Sequence, residues 1–62
     1  AMLTKDQLKQ QILELKMDYV NLQGDTEKLE SLGHADSVKL AVTRLENMEA
    51  RLAELNKQLA AL

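Results

Sequence analysis

Apolar residues recur through the second half of this chain at spacings of three and four: Val38, Ala41, Leu45, Met48, Leu52, Leu55, Leu59 and Leu62. Residues so spaced lie above one another on one face of an α-helix, so they form a continuous stripe that has to be withdrawn from water. A helix carrying such a stripe needs a second helix against it. The first half of the chain offers one, since Leu8, Ile12, Leu15, Tyr19, Leu22 and Leu29 repeat the same spacing, with Thr26 in an apolar slot. The reading is an all-α fold, an antiparallel two-helix hairpin of coiled-coil type, forming a single domain over residues 1–62.

Composition explains why two helices alone are a thin solution. A chain of 62 residues buries only roughly 60% of its unfolded surface, and domains of this size are marginal without a supplement. Disulfides and thiolate metal sites are excluded because there is no cysteine. Oligomerisation is then the expected supplement. The chain is 45% hydrophobic yet has no Phe, no Trp and a single Tyr, so its core is aliphatic and leucine-rich, as in helical bundles. A formal charge of −2 with both signs interspersed speaks against nucleic acid as a partner, which would demand clustered cations. No apolar run approaches the ~18 residues of a membrane span, and no secretory signal opens the chain, so no membrane and a cytoplasmic location are expected. Ala1 before Met2 reads as an addition to a native start at Met2 and is left out of the fold argument.

Two overlapping signals mark the first helix. Thr4 and Gln7 have the spacing of a capping box, and Leu3 and Leu8 occupy hydrophobic-staple positions. The helix is predicted over about 5–32. Two glycines compete for the turn. Gly24 and Gly33 could each end a helix in the left-handed conformation, with Asp25 or Thr26 following the first and Asp36 the second as N-caps. A turn over about 33–36 divides the chain into arms of matched length, each ~40 Å at 1.5 Å per residue, whereas a turn at Gly24 leaves them mismatched. The second helix is therefore predicted over about 37–62, capped by Asp36, with Gly24 a weak point inside the first. A single continuous helix in a parallel coiled coil is the competing architecture, and Gly33-His34-Ala35-Asp36 is a poor stretch to hold in the middle of one.

The first helix has a second apolar surface. Leu13, Met17 and Val20 are spaced four then three, rotated by well over 90° from the ladder and separated from it by Lys9 and Lys16. One neighbour can bury only one of these surfaces. In the second helix Leu40 and Val42 also lie off the ladder, while Ala50, Ala53, Ala60 and Ala61 permit close approach of another helix. Leu13, Met17, Val20, Leu40 and Val42 are thus the expected interface, through which two hairpins form a homodimeric four-helix bundle.

Catalytic chemistry has little to stand on. Glu14, Asp18, Glu46, Glu49 and Glu54 read as solvated helix faces, Ser31, Ser37 and Thr43 have no histidine base in supporting positions, and two slim helices enclose no cleft. No cofactor is expected. The one histidine, His34, sits in the turn with Glu30 and Asp36 near it; these three are weak candidates for an oxygen- and nitrogen-ligated metal, and helix capping or plain solvation accounts for them as well. Arg44 and Glu49, at g and e positions of the second ladder, are suited to selecting a partner.

The segment Leu15-Lys16-Met17-Asp18, continuing to Leu22, resembles the Leu-Lys-Met-Asp segment in the first helix of the small Rop-like proteins encoded beside nitrogen-fixation genes. The resemblance covers about eight residues, and the chain departs from that family's pattern in having no Leu-Pro turn after them. It implies a bundle-forming accessory protein, with metal binding as one possibility. The functional expectation is a non-catalytic structural or adaptor protein that associates with itself and presents a protein-binding surface. The alternatives are a small chaperone for an amphipathic helix of another protein, a metal-binding accessory protein, and a Rop-type RNA-binding bundle, which would need Lys5, Lys9 and Lys16 on one face.

Overall fold

The computed structural model describes residues 3–62; Ala1 and Met2, and with them the reading of the native start, lie outside the described residues. The chain forms two α-helices, α1 (Lys5–Ser31) and α2 (Ala35–Ala60). They pack antiparallel along their length in a body measuring 44 × 17 × 15 Å. One continuous helix of this chain would extend roughly 85 Å at 1.5 Å per residue, so the hairpin is the architecture adopted.

The start of α1 follows from its sequence. The Gln7 N–H donates to Thr4 Oγ1 at 3.1 Å and the Thr4 N–H donates to Gln7 Oε1 at 2.8 Å, a complete capping box that satisfies two otherwise orphaned donors. Leu3 packs against the cluster that contains Leu8, as the staple spacing predicts. From there α1 runs without interruption through Gly24. A Cβ built at Gly24 meets nothing within 4 Å, so no close approach inside the hairpin requires the glycine there.

Gly33 makes the turn. It has φ +75°, the left-handed conformation that costs an L-residue roughly 1–2 kcal/mol and glycine almost nothing. Leu32 caps α1, the Gly33 N–H donates to the Glu30 carbonyl at 3.0 Å, and the His34 N–H donates to the Leu29 carbonyl at 3.0 Å. These are the paired bonds of a Schellman motif, which closes a helix within two residues of its cap. The reversal is therefore tighter than expected. His34 is the N-cap of α2, its carbonyl accepting from the Val38 N–H at 3.0 Å, and it makes no side-chain capping bond. The prediction that Asp36 caps a helix starting at residue 37 is corrected: α2 begins at Ala35, and Asp36 lies inside its first turn, where a carboxylate favours the positive end of the helix dipole.

Between the helices the two ladders meet. Leu8, Ile12 and Leu55 form the buried cluster, with Leu3, Leu15, Leu52 and Leu59 packed against it. Tyr19, Leu22 and Leu29 of the first ladder and Val38, Leu45 and Met48 of the second are half-buried. Thr26 and Ala41 are buried nearer the turn. The Thr26 hydroxyl donates to the Leu22 carbonyl at 2.7 Å, so threonine takes an apolar slot without leaving a polar group unpaired. Leu62 is the exception among the ladder residues. It is exposed, because α2 stops at Ala60 with Ala61 as its cap, and the last residue has run past the packed region.

Candidate interaction surface

Among the described residues the features that stand out are uncovered apolar side chains. Leu13, Met17 and Val20 are 53, 59 and 64% exposed, on a helix whose opposite side is packed against α2. At 100° per residue their centre is turned about 150° from the centre of the buried ladder. They occupy the back of α1. This is a stronger statement than their position off the ladder, because the hairpin has no third element with which to cover them. Isolated exposed leucines are ordinary on soluble proteins; three successive members of one helical stripe form a patch.

Leu40 and Val42 are also exposed, at 56 and 40%, and helical spacing turns them to different sides of the hairpin. Val42 lies two helical turns before Glu49, on the same face, and Glu49 lines a shallow depression with Leu15, Lys16, Tyr19, Val20 and Leu52. Leu40 lies three turns before Arg51, which lines a different depression with Gln11, Glu14, Asp18, Leu15 and Leu55. Residues two apart on a helix point some 200° apart. Val42 therefore borders the Val20 side of the hairpin and Leu40 the Glu14 side, and a single flat partner cannot cover both. Ala50, Ala53 and Ala60 of α2, and Ala61 at its C-cap, are exposed.

The two sides also differ in chemistry. The depression between Leu15, Tyr19, Val20 and Leu52 is apolar, flanked by Lys16 from α1 and Glu49 from α2. The one on the other side carries Glu14, Asp18 and Arg51. Lys5, Lys9 and Lys16 are exposed and follow one another at spacings of four and seven, so they do share a face of α1, between the buried ladder and the Leu13, Met17 and Val20 patch.

At the turn, Glu30 and His34 border a depression together with Gly33, Ala35, Val38 and Lys39, and Asp36 lines its neighbour with His34 and Ser37. The three weak metal candidates are close in sequence but are not drawn into one site: among the described residues no group of three or more His, Asp or Glu side chains is placed to hold a metal ion. Nor is any helix among them long and apolar enough to cross a membrane.

Sequence reasoning missed one exposed apolar residue, Leu32, which is 70% exposed at the C-cap of α1. The signal was present in its position next to Gly33, since a residue at a helix end beside a tight reversal has no neighbouring turn to shelter it. No family model matches the chain, and no curated protein or solved structure is significantly similar to it.

Proposed function

We propose that this is a non-catalytic structural or adaptor protein whose hairpin associates with a second copy to form a four-helix assembly and presents the remaining surface to other proteins. One observation carries the reading: Leu13, Met17 and Val20 form an exposed apolar stripe on the back of a continuous helix. A chain this small gains much from burying such a stripe, at about 25 cal/mol per Å² of apolar surface removed from water. Two antiparallel helices are also the architecture that the resemblance of the Leu15 to Leu22 segment to Rop-like hairpins implies, and an accessory role is its functional counterpart.

Sedimentation equilibrium over a concentration series from micromolar to hundreds of micromolar tests this directly. A dimer mass is expected. Met17→Asp places a carboxylate in the centre of the stripe, at a position exposed on the hairpin; it is expected to return the mass to that of a monomer while helicity by circular dichroism is largely kept. A monomeric mass for the parent chain throughout the series would refute the reading.

A second reading follows from a different observation. The apolar depression between Leu15, Tyr19, Val20 and Leu52 has the character of a site for an amphipathic helix from a partner, as in helix-in-groove recognition. Under that reading the chain is a small chaperone. It would remain monomeric alone and would be stabilised by the partner segment, and Leu52→Ala would weaken the partner's binding far more than Met17→Asp does.

A further inference from the structure

The ladders of α1 and α2 are each regular, but they are out of step with one another. Leu8, Ile12, Leu15, Tyr19, Leu22, Thr26 and Leu29 alternate in fours and threes. Continued without a break, that seven-residue repeat passes through Gly33, Asp36, Leu40 and Thr43. The second ladder instead runs through Val38, Ala41 and Leu45, so that Val38 takes, two residues early, the place that Leu40 would have. The packing follows the second phase: Leu40 is 56% exposed, whereas Ala41 beside it is buried.

In the hairpin this step in phase costs nothing. The reversal at Gly33, with φ +75°, separates two helices that can each be turned about its own axis until its stripe faces the other. In one continuous helix the step would be decisive. A displacement of three or four residues moves a coiled-coil seam by about 50° and is absorbed by local winding. A displacement of two residues moves it by about 150°, which throws the stripe to the opposite side of the helix. A rod of two continuous helices, parallel or antiparallel, needs one seam along its whole length. Here only one half of each helix could face its partner, and the other half would turn its stripe outward toward a further chain. Such an assembly is open-ended and does not close.

We propose that the step in phase between the two ladders is a built-in block against opening of the hairpin into a two-chain rod, and that Gly33 shapes the turn without being what prevents the rod. The proposal is independent of what covers the back of α1.

Small-angle scattering and sedimentation at hundreds of micromolar test it on three variants, with circular dichroism to verify that each is helical. Gly33→Ala alone is expected to keep the 44 Å length of the hairpin. Gly33→Ala with two alanines inserted after it brings the second ladder into step with the first. It is expected to give a two-chain rod of roughly 90 Å at 1.5 Å per residue. With four alanines inserted at the same place the second ladder falls two residues late, and no two-chain rod is expected. A discrete two-chain rod from Gly33→Ala alone would overturn the proposal. So would the same behaviour from both insertions, whether rod or hairpin, because the phase would then decide nothing.

Discussion

The open end of the hairpin, where the start of α1 meets the end of α2, and the closed end at Gly33 are held by different means. At the open end Leu8, Ile12 and Leu55 are buried and Leu3, Leu15, Leu52 and Leu59 close around them. Toward the closed end the buried residues are Thr26 and Ala41, one of them polar and the other small, and the flanking Leu29 and Val38 are only half-buried. Large side chains are concentrated where the chain does not hold the helices together. Where it does, the Schellman turn fixes their separation and small residues are enough. The loop entropy that a long connection would cost is absent from a reversal this short, so less burial is required beside it.

This contrast is broken most directly at Leu55, which is 2% exposed. Leu55→Ala is expected to cost about 2 to 5 kcal/mol, comparable with the whole stability of a chain this size, and urea unfolding followed by circular dichroism measures it. Val38→Ala, the corresponding truncation near the turn, is expected to cost less than half as much by the same measurement. Equal losses would show that the two ends are packed alike.

Gly33→Ala tests the closed end. A Cβ there meets nothing within 4 Å, so the cost is conformational, roughly 1 to 2 kcal/mol from forcing an L-residue to φ +75°. Thr4→Ala tests the open end in a comparable way. It removes the side chain that accepts from Gln7, and a loss of about 1 kcal/mol is expected, with fraying visible as faster amide exchange over the first turn of α1.

The smallest expected effect has the opposite sign. Gly24→Ala puts a methyl group into open space within an unbroken helix, and should raise stability by about 0.5 to 1 kcal/mol. Read together, the two glycine variants sharpen the comparison, because the same substitution destabilises at the turn and stabilises nine residues earlier. That gain is expected of the separate hairpin, at concentrations too low for pairing; a loss that appears as the concentration rises would mark the second copy proposed to lie against the back of α1.

Much of this was legible in the sequence because helices are governed by local spacing. The ladders over Leu8 to Leu29 and Val38 to Leu59 predicted which faces meet, and Thr4 with Gln7 predicted the start of α1. The choice of Gly33 over Gly24 also came from the chain, through the matched lengths of the arms. What was not legible was decided over a few residues at the ends. Asp36 has the right side chain for a cap, yet the Schellman motif closes α1 so quickly that His34 already stands at the N-cap. Leu62 continues the ladder's spacing but comes after the helix has ended. Thr26 fills the apolar slot that the spacing gave it, and what the spacing could not show is that its hydroxyl is satisfied by the Leu22 carbonyl.

The candidate surface divides in the same way. Spacing alone separated Leu13, Met17 and Val20 from the ladder, since both sets lie on one regular helix and their angular relation follows from the residue numbers. Leu40 and Val42 could not be assigned to sides by such reasoning, because the sides of a hairpin exist only once two helices are in place. The sequence by itself determined the helices, their facing stripes and the residue that reverses the chain, all consequences of local geometry repeated along the backbone. Only the tertiary structure decided which flank each remaining apolar residue borders, because a flank is a property of the pair of helices and of neither alone.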